Sequence, residues 1–391
     1  MQGENKKIRV LFLLTALHKD GAVLSTLTTL KHLDRSRFSP SLFVLKPSRV
    51  ASKGVSWNLL LNDIDVTYGL KRGETVRKKL FYLFKRLYKL TRQTDVIVGG
   101  LEMAPTFLAA SMGKIAGRAS VGFIRNSLPD VLQGLPKYYK SLTKFIYPYL
   151  SKAVAISNGI KAGAEKLIPG LKGRIATVYI PIDIEQIRKL GNADLPEVVN
   201  RPPYLLAVGR LMPQKGFDIL LHAYALARRH GLEQQLVIVG EGPQRKILEA
   251  LIKELKLDDH VLLAGFQENP YVWMKNASLF VSSSRYEGFC RVLAEAQAVG
   301  TAVVSTDCPD GPAEVLEGGA SGILVQNENP QALAEGMLTL IKNPGLVDQL
   351  RTRGTERVKE FTHKASIANF EEILTSLIPA KKSVKKESTY K

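Results

Sequence analysis

The residues best equipped for chemistry lie in the second half of the 391-residue chain. Gly209-Arg210-Leu211-Met212-Pro213-Gln214-Lys215-Gly216-Phe217 follows an apolar run and opens a helical pattern. Two cations on one loop, at the carboxyl end of a strand in a parallel sheet, suit a diphosphate. Arg supplies a planar fork of donors and Lys a compact charge. Solvent exposure would be reason enough for such a pair in isolation, but two more corners follow. Val239-Gly240-Glu241-Gly242-Pro243 is one, and Ser282-Ser283-Ser284-Arg285-Tyr286-Glu287-Gly288-Phe289 is the other. Glu287 precedes Glu295 by a span that covers about 12 Å if wholly helical, a plausible separation of ribose and sugar ring in a nucleotide sugar. Carboxylates accept from vicinal hydroxyls, and Gly288 lets the backbone approach a phosphate. Paired carboxylates also serve glycoside hydrolysis. The neighbouring cations favour a phosphate leaving group instead.

The first half offers weaker signals. Residues 15–22 form a loop with Gly21 just before a helical pattern, where free backbone N–H groups can bind an anion. Asp63-Ile64-Asp65 has the look of a metal-binding D-x-D triplet and reads as chance at a strand edge. Cys290 and Cys308 are the only cysteines and lack metal-ligand spacing, and the six histidines do not cluster. A reducing compartment and a site without metal or other cofactor are the expectation.

To bring these loops to one edge, the chain must alternate strands and helices. Strand candidates are 8–14, 41–45, 95–98, 119–124, 153–156 and 175–179, then 204–208, 236–239, 261–263, 279–281, 302–304 and 323–325. Helical periodicity lies between them at 22–33, 105–115 and 138–150, then at 217–229, 244–255, 291–299 and 332–341. Such alternation implies parallel sheets covered on both faces. The predicted division is a domain at 1–183, a linker at 184–203 broken by Gly191, Pro196 and Pro202-Pro203, a domain at 204–365, and a C-terminal helix with basic tail at 366–391. The break at Asn343–Gly345 leaves 346–377 as long helical segments. The tail 381–391, with five lysines, is expected to be disordered.

The second half resembles the retaining nucleotide-sugar glycosyltransferases of family 4. The matching text is "GRLMPQKGFDILLHAYAL", "LVIVGEGPQR", "VLLAGFQENPYVWMKNASLFVSSSRYEGF", "LAEAQAVGTAVVSTDCPDGPAEVL" and "GILV", in family order across 204–325. Residues 1–183 are less alike, although "KFIYPYLSKAVAISNGI" and "VYIPID" fit. The resemblance implies an α/β GT-B fold, two Rossmann-like doubly wound domains facing across a cleft. It implies phosphate binding by Arg210 and Lys215, donor-sugar contacts by Glu287 and ribose contacts by Glu295. Backbone N–H groups of Gly288 and Phe289 would serve phosphate or sugar. Gly21 and the Gly240 corner would adjoin the donor, and Phe266 and Gln267 would read the base. The family needs no metal. Three departures stand out: Asp20-Gly21-Ala22-Val23 where the glycine loop often reads Gly-Gly-Ala-Glu, Cys290 where Pro is common, and Arg125-Asn126 where many members carry a His. Arg125 cannot be a general base near neutral pH, but it can hold an anionic acceptor or phosphate. Arg125 and Asn126 are therefore the acceptor-side candidates.

Charge sharpens the acceptor question. The net charge is +19, with 30 Lys and Arg against 11 Asp and Glu in residues 1–183 and 25 of each in residues 184–391. A domain so basic faces a polyanion, nucleic acid or anionic membrane, or is merely kept soluble. Residues 71–92 hold nine Lys and Arg against Glu74, with Val76, Leu80, Leu83, Phe84, Leu87 and Leu90 forming an apolar stripe. The stripe either packs on the core or lies in a membrane interface. No stretch approaches the ~20 apolar residues of a membrane span. The start, with Lys6, Lys7 and Arg9 before a short apolar run, reads as a buried strand and not a signal peptide. The combined expectation is a cytoplasmic enzyme, peripheral on the inner face of the membrane. It would move a hexose or N-acetylhexosamine from a nucleotide sugar, UDP-linked, to a glycan or lipid-linked saccharide in envelope polysaccharide or lipopolysaccharide synthesis, with no nucleic-acid partner. The rivals are a sugar-nucleotide epimerase on the same fold and a non-catalytic polyanion-binding protein.

Overall fold

A computed structural model describes residues 7–18, 21–47, 61–195 and 203–379. The predicted basic tail, Lys6, Asp20, Pro196 and Pro202 lie outside the described residues.

The first sheet holds β1 (Ile8–Leu14), β2 (Phe38–Val44), β3 (Asp65–Tyr68), β4 (Val96–Gly99), β5 (Ala119–Ile124), β6 (Lys152–Ala155) and β7 (Ile175–Thr177). Its order is β3-β2-β1-β4-β5-β6-β7, all parallel. The second holds β8 (Tyr204–Val208), β9 (Gln235–Val239), β10 (Val261–Gly265), β11 (Leu279–Ser282), β12 (Val303–Asp307) and β13 (Ile323–Gln326), in the order β10-β9-β8-β11-β12-β13, again all parallel. Central strands such as β4 and β11 are buried along their whole length, which is why they read as unbroken apolar runs. Each sheet reverses direction once, between β1 and β4 and between β8 and β11. At such a reversal the loops beyond the carboxyl ends of the two strands diverge and leave a crevice.

Three elements differ from expectation. Edge strand β3 was not foreseen, because its side chains are exposed or half-exposed and lack an apolar run. Asp65 opens this strand and Asp63 pairs with Arg35 at 3.3 Å, so the triplet does sit at a sheet edge. The linker contains a helix, Ile184–Gly191, capped by the Asp183 carboxylate and anchored by buried Ile184 and Ile187. The run 346–377 is divided into helix Pro344–Arg357, a tight turn at Val358–Phe361, and helix His363–Ser376.

That last helix crosses back to the first sheet. Phe370 meets Phe12 and Phe123, with ring centroids 6.2 and 5.2 Å away. Glu371 accepts from the Asp34 N–H at 2.7 Å and pairs with Arg37. The two connections between sheets run side by side, and the Ile182 N–H donates to the Phe361 carbonyl at 2.7 Å.

Helix Val76–Arg92 divides its stripe. Leu83 and Leu87 are buried against Leu11, Leu13, Phe43 and Ile97. Leu80 is 63% exposed and Phe84 43%, beside Phe81 at 80%. Core packing therefore holds the helix, while an apolar strip on its flank stays in solvent.

Candidate active site

The second sheet's crevice brings two predicted residues together. Lys215 comes from the loop after β8 and Glu287 from the loop after β11. Their side chains meet across the reversal, Lys215 Nζ donating to Glu287 Oε1 at 2.5 Å. Ser284 Oγ donates to the same oxygen at 2.7 Å. Among the described residues nothing donates to Oε2. Burial disfavours the Lys215 ammonium, but the Glu287 charge and its hydrogen bond outweigh it and hold the pKa above its ordinary value. Lys215 is thus an ammonium at neutral pH.

Local sequence fixes both ends. Gly216 adopts φ 60° and leads directly into helix Phe217–Arg229. Arg285 clamps the neighbouring turn through Asp218 at 2.7 Å, Glu328 at 2.9 Å and the Pro213 carbonyl at 2.7 Å. Beyond Glu287 the chain is not helical until Arg291, since Cys290 sits in the left-handed region at φ 58°. The span from Glu287 to Glu295 is therefore a loop followed by one turn of helix Arg291–Ala298, shorter in helix than expected.

A cavity of about 250 Å³ opens over this pair, lined by Gly21, Arg125, Asn126, Lys215, Glu287, Gly288 and Phe289 among others. It lies between the two sheets. The backbone N–H groups of Gly288 to Val292, which all line it, donate to no acceptor among the described residues. They are the unsatisfied donors of a helix start. Gly21 and Ala22, at the start of helix Gly21–His32, reach the cavity from the other side. Two helix N-termini and a lysine thus converge on one space, which favours an anion. Phe289 packs its ring against Tyr179 and, edge to face, Phe361, so its backbone is what serves the cavity. Cys290 and Cys308 are buried free thiols. Burial pushes Cys308 up to about 12 and Cys290 well above its ordinary value, so neither is a nucleophile at neutral pH.

The other predicted donor residues lie along the rim of the second sheet. Arg210 is exposed at the start of its loop. Gly240 has φ 146°, and a Cβ there would fall on the Gly209 carbonyl oxygen, so the corners after β8 and β9 pack backbone to backbone. Phe266 is 65% exposed just past β10. Gln267 donates to the Ala264 carbonyl at 2.8 Å. Glu295 is buried and accepts from Arg291 at 2.7 Å and from the Tyr271 hydroxyl at 3.3 Å. Burial, together with the Glu295 charge, pushes Tyr271 up to about 12, so it is a donor at neutral pH.

Arg125 is anchored within the first domain. Its guanidinium is buried and faces inward, donating to the Gly100 carbonyl, Ser25 Oγ and Thr26 Oγ1 at 3.0–3.1 Å while stacking on Phe123. It bolts the loop after β4 to the helix after β1 and so fills the first sheet's crevice. Arg125 also lines the cavity beside Asn126, Lys215 and Glu287. Sequence reasoning also missed Glu102 on the loop after β4. Its Oε1 accepts from the backbone N–H groups of Arg125 and Asn126 at 2.5 and 2.6 Å and from Asn126 Nδ2 at 3.2 Å. A lone loop carboxylate gives no sequence signal for this. Among the described residues no group of three or more His, Cys, Asp or Glu is placed to hold a metal, and no helix is long and apolar enough to cross a membrane.

Comparison with known proteins bears on the family and the fold. The family model for glycosyl transferases group 1 matches residues 195–357. The chain is 33% identical over 288 residues to the N-acetylgalactosamine-N,N'-diacetylbacillosaminyl-diphospho-undecaprenol 4-alpha-N-acetylgalactosaminyltransferase of Campylobacter jejuni, covering 72% of this chain and 77% of the relative. Anabaena HepE, solved in complex with UDP, superposes with TM-score 0.78 at 20% identity over 95% of this chain and all of HepE. The lipopolysaccharide outer core galactosyltransferase WaaB superposes with TM-score 0.72 at 21% identity over 95% of this chain and all of WaaB. Two parallel α/β sheets facing across a cleft are the GT-B fold, and the chain belongs to the group 1 glycosyl transferases.

Proposed function

We propose that this enzyme transfers a hexose or N-acetylhexosamine, with retention, from a UDP-linked donor to the saccharide of a lipid-linked acceptor in envelope glycan or lipopolysaccharide synthesis. The observation that carries this reading is the Lys215–Glu287 pair set beneath the unpaired N–H groups of Gly288 to Val292. The diphosphate would take those N–H groups and Lys215, with Arg210 as a second cation from the rim. Charge developing on the departing diphosphate is then met by fixed donors. Glu287 Oε2 would accept a hydroxyl of the donor sugar. Glu295, fixed by Arg291 and Tyr271, would take ribose hydroxyls, and Phe266 and Gln267 would border the base. With Arg125 bolted inward and no His in its place, a donor phosphate oxygen is left to take the acceptor proton on the same face of the sugar. No metal or cofactor is called for, because the cations and helix starts supply the positive charge.

Lys215→Ala tests this. Transfer and slow donor hydrolysis should both fall by about 100-fold or more, and unchanged activity refutes it.

The relative from Campylobacter carries a diphospho-undecaprenol acceptor in its name, which supports a membrane-borne acceptor here. Leu80, Phe81 and Phe84 stand exposed on a helix that also carries Arg77, Lys78 and Lys79. That strip would sit among lipid headgroups, placing the enzyme peripherally on the inner face of the cytoplasmic membrane. Co-sedimentation with anionic vesicles should be salt-sensitive and weakened by Leu80→Ser/Phe81→Ser. Equal binding to neutral and anionic vesicles overturns it. We keep the division into 1–183, a linker at 184–203 and 204–365, with the crossing helix returned to the first domain.

A further inference from the structure

A second cavity of about 230 Å³ adjoins the first. The two share Asn126, Gln214, Glu287 and Gly288 in their walls, so they meet along one edge. Ser127, Asp130 and Tyr286 line only the second. Its walls differ in chemistry from those of the first. They contain two carboxylates, Asp130 and Glu287, and neither Lys nor Arg. Phosphate is therefore a poor occupant, whereas a neutral polyol is a good one, because carboxylates accept from its hydroxyls.

The individual side chains are ready for such a ligand. Asp130 is exposed, and neither a hydrogen bond nor an ion pair ties its carboxylate to another described residue. Its charge is felt locally: burial, then Asp130 and Glu314, raise the pKa of the Asp310 carboxyl above its ordinary value. The Ser127 hydroxyl makes no capping bond to the helix it precedes. Tyr286 is 47% exposed, while its backbone carbonyl accepts from Gln214 Nε2 at 3.0 Å. An exposed aromatic face of this kind suits the C–H face of a sugar ring. Glu287 lines both cavities, so the donor sugar it would hold lies against the second.

We propose that this second cavity binds the terminal, uncharged sugar of the acceptor, gripped by Asp130 and Ser127 and stacked on Tyr286, so that Asp130 sets the requirement for a neutral end. The proposal rests on the donor occupying the first cavity. It separates two features of the acceptor: the sugar that receives the bond is neutral, and any anionic portion lies elsewhere on the basic domain.

The test uses the full chain with UDP and octyl glycosides of glucose, galactose, N-acetylglucosamine, N-acetylgalactosamine and glucuronic acid, read by saturation-transfer NMR. UDP affinity is measured separately by calorimetry. At least one neutral glycoside should bind in the presence of UDP, and the glucuronide should bind worst. Asp130→Ala and Tyr286→Ala should each weaken the neutral glycoside about tenfold while UDP affinity holds within twofold. Asp130→Asn should narrow the gap between glucuronide and neutral glycosides. Because Asp130 and Tyr286 do not line the first cavity, a glycoside seated in the donor-sugar position would not respond to them, and that indifference overturns the proposal. Preference for the glucuronide also overturns it. Failure of the wild-type chain to bind UDP refutes the donor reading on which the proposal depends, and is distinguishable from both.

Discussion

Replacing Lys215 with Met separates the two roles of that side chain. In the free enzyme Lys215 neutralises Glu287, and their side chains are 20% and 9% exposed. Removing the ammonium leaves a nearly buried carboxylate held only by Ser284 Oγ. Breaking a fully buried pair costs about 3–5 kcal/mol. Water reaches Lys215, so about 2–3 kcal/mol is expected here. For a unit of this size that lowers Tm by roughly 5–10 °C. Adding Glu287→Gln removes the orphan charge, keeps the Ser284 hydrogen bond, and should restore more than half of the loss. The affinity for UDP behaves differently. A charge-assisted bond to phosphate contributes about 1.5–3 kcal/mol, so Lys215→Met should weaken UDP roughly 10- to 150-fold, and the second substitution should not restore it. The Lys215 pKa lies above its ordinary value of 10.5. Its contribution to stability is therefore fully present below 10.5, and fades only as pH rises through the folded-state value. The stability gap between wild type and Lys215→Met should accordingly be flat across neutral pH. The measurements are calorimetric unfolding and UDP titration on the wild type, both single variants and the double. A double variant no more stable than Lys215→Met refutes the orphan-charge argument. UDP affinity within threefold of wild type in Lys215→Met refutes the phosphate role.

Three further outcomes follow from other contacts. Phe370→Ala should destabilise the chain by about 3–5 kcal/mol, with hydrogen exchange accelerated in β1 and β5 and not in β8 or β11; uniform acceleration would contradict the crossing. A Cβ on Gly288 would lie 2.6 Å from the Arg125 carbonyl oxygen of the facing domain. Gly288→Val should therefore hold the cleft open, raising the radius of gyration seen by X-ray scattering and lowering transfer roughly 100-fold, and an unchanged rate would refute the contact. Asp310→Asn should raise Tm at neutral pH, because burial and the charges of Asp130 and Glu314 push that carboxyl above its ordinary pKa of 3.8. The native φ of 70° suits Asn. The advantage should disappear as pH falls below 3.8, where both states are protonated, and a pH-independent gain would show another cause.

The buried strands were legible because burial on both faces demands continuous apolar runs, as in β4 and β11. Edge strand β3 was not, since Asp65 and Tyr68 face solvent and carry no pattern. The donor loops were legible through their text. Their convergence was not, because Lys215 and Glu287 meet only once β8 and β11 are neighbours, a fact of strand order. Arg125 shows the same limit from the other side. The sequence displays a cation at the end of β5, and only packing shows that Ser25, Thr26 and Gly100 take its donors. Glu102 and Asp130 were missed because a single carboxylate on a loop looks like any solvated one until its neighbours are in place.

The returning helix has a consequence for how the chain is made. Phe370 completes a core whose other walls, Phe12 and Phe123, are synthesised early. The first sheet has all its strands once Thr177 has left the ribosome, yet it waits for a further stretch of chain that includes the whole second sheet. At ordinary elongation rates that interval is on the order of 10–40 s. During it the apolar surface around Phe12 and Phe123 lacks its cover, so a nascent chain halted before Phe370 should be the species that chaperones hold.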